Sequence, residues 1–95
     1  MLFVAITTVK PSVAAHPPAD YALHLQEEAA QTHRALAEGV FHQAWLKNDL
    51  SGVVIIFEAE SSTTAAEMLG EYSLVKAHYA DLQIVAIDSF PRLFR

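Results

Sequence analysis

His24 and Glu28 stand four residues apart, the spacing at which two side chains meet on one face of a helix. A carboxylate beside an imidazole is the usual equipment of a general acid–base pair. The same pair also suits a solvated helix face, where charge networks form without doing chemistry. His33 lies further along the same segment. There it either points into a pocket under a sheet or is a structural histidine held by hydrogen bonds. His42, Gln43 and Trp45 form a third group. An indole either walls a ligand cavity or anchors a core or interface. Gln43 shares the face of Trp45, and an amide on an apolar face needs a partner, which a ligand can supply.

Other chemistries find little footing. The five histidines are eight or more residues apart, without an HxH or HxxxH pair, and there is no cysteine, so no metal site is expected. Glycine occurs three times, and no nucleophile motif, phosphate loop or cofactor fingerprint is present. The formal net charge is −5, with six Lys and Arg scattered along the chain. Nucleic acid would need a basic patch and is not an expected partner. The longest apolar run, residues 53–57, is far too short to span a membrane. The opening Met1-Leu2-Phe3-Val4 has no charged leader, so a cytoplasmic protein is expected.

The elements that must position these residues read as one domain over residues 1–95. Residues 2–9 are β-branched and nearly continuously apolar, a strand covered on both faces. Residues 11–18 carry three prolines and read as a loop. A helix follows to residue 38, with Tyr21, Leu25, Ala29, Thr32 and Leu36 as its inward stripe and Gly39 closing it. Residues 40–47 alternate, Val40, His42, Ala44 and Leu46 facing one way and Phe41, Gln43, Trp45 and Lys47 the other. A turn at residues 48–52 leads to the apolar strand 53–57. Ser61 or Ser62 caps a second helix running to about Tyr72, and residues 82–87 form the last strand. The order β-α-β-β-α-β predicts an α+β, ferredoxin-like fold: a four-stranded antiparallel sheet with two helices on one face.

That layout leaves one sheet face open, yet strands one and three are apolar on both sides. Hydrophobic residues make up 53% of the chain, rich for a domain whose interior is small. The simplest cover is the sheet of a second copy, which makes the protein an obligate homodimer. Phe90, Leu93 and Phe94 crowd the last six residues and are expected to dock, with Arg92 and Arg95 near Glu58 or Glu60.

Glu38-Gly39, the strand holding Trp45, then Phe57, Ser61, Leu69, Leu74 and Asp81 resemble muconolactone Δ-isomerase and its relatives. The opening Met1-Leu2-Phe3 and Thr8-Val9-Lys10 fit the same pattern, and residues 38–81 align without a gap. Residues 57–61 and 74–77 also resemble YciI-like proteins. Both groups belong to the dimeric α+β barrel class. The resemblance implies a cofactor-free isomerase that moves a proton on a small unsaturated lactone in aromatic catabolism, as a homodimer or a higher ring of dimers. Glu28 matches an acidic position on that family's first helix, and Trp45 a tryptophan. The chain departs from the pattern at Val4 and Ile6, where the family has a histidine and a lysine, and at His42-Gln43 and Leu46, where it has arginines and a histidine.

The resulting expectation is an isomerase or lyase without a cofactor, acting on a small-molecule ligand. Glu28 is the base, His24 or His33 its proton partner, Gln43 polarises an oxygen, and His42 and Trp45 line the substrate. Two alternatives use the same fold: a non-catalytic small-molecule-binding or accessory module, and a cofactor-free monooxygenase of the barrel class.

Overall fold

The computed structural model of the chain describes residues 1–88. The expected docking of Phe90, Leu93 and Phe94, with Arg92 and Arg95, lies outside them. Leu2–Val9 forms β1, with Phe3, Ala5 and Thr7 buried on one face and Leu2, Val4 and Ile6 half-buried on the other. The proline-rich stretch expected to be a loop begins with a short helix, α1, at Pro11–Ala15. Pro11 sits where a helix needs no amide hydrogen and where its fixed φ is already helical. Pro17 and Pro18 then prevent the helix from growing.

Helix α2 spans Tyr21–Ala37 and ends at Gly39, whose φ of 76° is the left-handed turn that glycine takes freely. Its buried stripe is displaced by one residue from the expected one. Glu28 is buried, His24, Gln31, Thr32 and Ala35 are half-buried, and Leu25 and Leu36 face outward. Strand β2, Phe41–Leu46, pairs with β3, Val53–Glu58, through a bulge: Phe41 opposes Phe57, but Gln43 opposes its neighbour Ile56. The extra residue, His42, flips the phase. Phe41 and Ala44 therefore share the helix-covered face and Gln43 and Trp45 share the other, which corrects the simple alternation expected over residues 40–47.

Helix α3, Ser62–Gly70, starts at Ser61, whose Oγ accepts the Thr64 amide at 3.1 Å. The single helix expected to reach Tyr72 stops two residues earlier. Tyr72 takes an extended conformation and opens a further short helix, α4, at Ser73–Lys76. Strand β4 runs over Ala80–Ile87.

Among the described residues the four strands form one sheet in the order β2-β3-β1-β4, all pairs antiparallel. The two longer helices lie on one face, and the fold is the α+β, ferredoxin-like one that the element order predicts. Phe3, Ile55 and Phe57 of the sheet meet Ala65, Leu69 and Tyr72 in the core. The Phe41 ring stands edge-on to Phe57 and Tyr72, with centroids 6.1 and 6.2 Å away. On the opposite face Val4 and Ile6 meet Val54, Ile56 and Val85, an apolar patch with no helix of the described residues over it. Val53 and Ile55 of the same strand turn toward the helices. Among the described residues no helix is long and apolar enough to cross a membrane.

The β2–β3 hairpin is held against β1 by a close approach. Thr7 is buried, and its Oγ1 accepts the Val53 amide at 3.0 Å. A Cβ at Gly52 would come within 1.8 Å of the Thr7 carbonyl oxygen, a backbone atom that cannot step aside. Gly52→Ala is therefore expected to destabilise the fold by about 2 kcal/mol or more, read as a lower midpoint in urea unfolding. Gly70→Ala, with open space around its Cβ, is the control expected to leave the midpoint unchanged or raise it slightly.

Candidate functional site

Helix α4 is too short to satisfy its own N-terminal amides. Two side chains of α2 do so instead. The Ser73 amide donates to Gln31 Oε1 at 2.9 Å, and the Leu74 amide donates to Glu28 Oε2 at 3.1 Å. Gln31 also donates to the Glu71 carbonyl at 2.9 Å. These bonds turn the polar residues of α2 inward and carry Leu25 off the sheet. A cavity of about 400 Å³ remains between α2 and the β2 side of the sheet, within the usual size of ligand pockets.

Leu25, Ala29, Ala44, Leu46 and Val53 supply its apolar wall, and Glu28, Thr32, His33 and Tyr72 its polar groups. Glu28 is only 7% exposed. Burial pushes its carboxyl above the ordinary value of 4.5, and the Leu74 amide offsets this only in part. Among the described residues Oε1 has no hydrogen-bond donor, so the group keeps one oxygen free. The Thr32 hydroxyl donates to the Glu28 carbonyl at 2.8 Å and also contacts the Tyr72 hydroxyl. Since the one hydrogen of Thr32 is committed, Tyr72 is the donor between them. Burial pushes the Tyr72 phenol up to about 12, so it stays neutral at physiological pH. Thr32 belongs to the inward stripe expected from sequence and Tyr72 to the end of the second expected helix, but neither expectation reveals that two hydroxyls forty residues apart meet.

The other expected site residues fall in three places. His33 and Trp45 line the same cavity as Glu28, Trp45 at the rim with 62% of its surface exposed. His24 does not. Its Nδ1 lies 2.8 Å from Ser73 Oγ and its Nε2 3.1 Å from Asp20 Oδ2, along a separate open groove of about 640 Å³. The Ser73 hydroxyl donates to Glu27 at 3.0 Å, and Tyr79 donates to Asp20 at 2.7 Å. The Tyr79 hydroxyl, ahead of His24, holds the Asp20 carboxyl below its usual range. Ser73 is buried and its hydrogen is already given away, so this row is a strut joining α2 to α4. His42 and Gln43 lie outside the cavity: His42 Nε2 is 3.0 Å from Glu58 Oε1, and Gln43 Oε1 accepts the Trp45 indole at 3.2 Å. Among the described residues no three His, Asp or Glu side chains gather closely enough to hold a metal ion.

Comparison with known proteins places this architecture. No curated protein matches the chain by sequence. Muconolactone isomerase has a crystal structure similar to this one, with a TM-score of 0.78 at 23% identity, covering 96% of this chain and 92% of that one. A second is 5-chloro-2-hydroxyhydroquinone dehydrochlorinase from Burkholderia phenoliruptrix AC1100, solved with 2,5-dihydroxybenzoquinone, with a TM-score of 0.66 at 17% identity, covering 97% of this chain and 98% of that one. At such identities the likeness is one of fold, and the chain has the muconolactone isomerase-like α+β fold that the sequence resemblance implied. A family model described as a domain of unknown function, DUF3303, matches residues 1–86, and the chain belongs to that family.

Proposed function

We propose that the chain is a cofactor-independent isomerase or lyase of a small catabolic metabolite, moving a proton in the cavity beside α2 with Glu28 as the acid–base group. The observation that carries this reading is the state of Glu28. It is a buried carboxyl raised by desolvation, anchored through one oxygen and open to an apolar cavity through the other. Environments of that kind let a carboxyl hold its proton to higher pH than a solvated one does, as an acid–base group requires. As carboxylate, Glu28 takes a proton from a carbon beside a carbonyl or ring oxygen, and the electron pair moves into the conjugated system. Returning the proton at another carbon completes an isomerisation; losing a leaving group completes an elimination. His33 is the second proton carrier of the cavity, and Trp45 closes its rim. His24 is committed to Asp20 and Ser73, so we give it no proton-transfer step, and we give none to His42 or Gln43. The isomerase and the dehydrochlorinase of similar fold have reactions of these two kinds.

We further propose that two copies stack their open sheet faces roughly 10 Å apart, as a homodimer that can build larger rings. Ile56→Lys places a charge at the centre of the patch. It is expected to convert the dimer to monomer in light scattering while the far-ultraviolet dichroism is kept. A wild-type chain that stays monomeric at micromolar concentration would overturn the dimer.

A second reading has its own support: the bond from the Leu74 amide is what a purely structural Glu28 would make, as in a binding module without turnover. Glu28→Gln separates the two. The amide oxygen still accepts from Leu74, so the fold should persist, while turnover on any hit from a screen of unsaturated lactones and hydroxylated rings should fall at least ~100-fold. Equal turnover would leave the module. Glu28→Ala leaves the Leu74 amide unpaired and should cost about 1–3 kcal/mol of stability.

The pH dependence has a defined sign. The folded state holds the Glu28 proton to higher pH than the unfolded chain does, so its contribution is fully present below 4.5 and is lost as pH rises through the raised folded value. Wild type should therefore lose stability relative to Glu28→Gln as pH rises from about 4 toward neutral, measured as the difference between their urea midpoints.

A further inference from the structure

The cavity beside α2 carries information about its occupant in what its walls cannot do. Lys10, Arg34, Lys47 and Lys76 are the lysines and arginines of the described residues, and none of them lines it. Lys47 is spent on Thr8 at 2.8 Å, and Lys76 on Glu71 at 2.9 Å across the separate groove. Among the described residues, the one formal charge the cavity can hold besides a protonated His33 is the negative charge of Glu28. A ligand carboxylate would enter an apolar space without a fixed cation and approach a second carboxyl. Both effects disfavour it: desolvation without pairing and like-charge repulsion.

The polar groups also have a direction. Tyr72 gives its hydrogen to Thr32, and Thr32 gives its own to the Glu28 carbonyl, so what remains toward the cavity on Tyr72 are lone pairs. Glu28 Oε1, when ionised, is likewise an acceptor. His33 can play either part. A ligand that donates hydrogen bonds therefore finds acceptors on both Tyr72 and ionised Glu28, while one that only accepts must then rely on His33.

Taking the cavity as the site of the proposed reaction, we propose that it selects an uncharged ring bearing hydroxyl groups and excludes its carboxylated counterpart. Leu25, Ala29, Ala44, Leu46 and Val53 clasp the ring, and ring hydroxyls donate to Tyr72 Oη and Glu28 Oε1. The chain would then differ in ligand class from an enzyme that needs cations to hold a carboxylated lactone.

Isothermal titration of the full chain at pH 7 with three probes tests this. Resorcinol is neutral and donates two hydrogen bonds, 1,3-dimethoxybenzene has the same ring without donors, and 3,5-dihydroxybenzoate adds a carboxylate. Resorcinol is expected to bind, with amide shifts in the nuclear magnetic resonance spectrum confined to the cavity lining. The dimethoxy ring should bind at least ~10-fold and the carboxylate at least ~100-fold more weakly. Leu25→Arg, at an exposed lining position, adds the missing cation without touching the core and should strengthen the carboxylate at least ~10-fold. The proposal is overturned if 3,5-dihydroxybenzoate binds wild type as well as resorcinol does, or if neither neutral ring binds at millimolar concentration. Selective binding of resorcinol-type rings without turnover of any would remove the isomerase reading and leave this one. Turnover of a carboxylated ring would do the reverse.

Discussion

The short helix α4 imposes the constraint on which the site depends. Its first amides point into the protein, and a four-residue helix has no side-chain cap of its own. A buried amide without an acceptor costs about 1–3 kcal/mol, so the long helix beside it must present acceptors. Glu28 and Gln31 are three apart on α2 and reach the amides of Leu74 and Ser73 together, with His24 against the Ser73 hydroxyl one turn earlier. Satisfying them fixes how α2 is rotated. The rotation lifts Leu25 and Leu36 away from the core and opens the space that a leucine stripe would have filled. The cavity follows from the capping, and a carboxyl stands at its wall because a carboxyl is one of the caps.

The bulge at His42 settles which side of β2 serves which purpose. By adding one residue opposite the Phe57–Ile56 step, it lets Phe41 fill the core beside Phe57 and Tyr72 while Ala44, small enough to leave room, forms part of the cavity wall. Trp45 is thereby delivered to the sheet edge at the rim of the cavity, with its side chain on the other face and its indole tied to Gln43. The departures from the isomerase pattern at Val4 and Ile6 lie on the far face, away from Glu28. Apolar side chains there line the open sheet face and do not reach the cavity beside α2.

Much of the fold was legible because its signals are local. β-Branched runs marked the strands, Gly39 the end of α2, and Ser61 the start of α3. The failures share a physical origin. Periodicity predicted Leu25, Ala29 and Leu36 inward, since apolar side chains usually win the core. Here hydrogen bonds to amides more than forty residues away outweighed them, and no local pattern encodes those bonds. The bulge was hidden in the same way, because alternation carries no mark where its phase slips. The short α1 was missed by reading three prolines as uniformly disruptive, when the first of them is favourable at a helix start. In the site, Glu28, His33 and Trp45 were legible as residue types near one another along the chain. That His24 belongs to a different groove, and that Tyr72 and Thr32 join Glu28, depended on α4.

Two opposing influences act on the Glu28 carboxyl. As a cap, the carboxyl is stabilised in its charged form by the Leu74 amide; as a buried group it is pushed toward the neutral form, and burial is the stronger influence. A ligand that displaces water would push the carboxyl further toward its neutral form, and one that brings a hydrogen-bond donor would push it back. A glutamine at this position would cap α4 equally well and avoid the cost of burying charge, so stability alone gives no reason for the acid. The proposed proton exchange with an occupant of the cavity rests on this carboxyl standing where an amide would serve the fold.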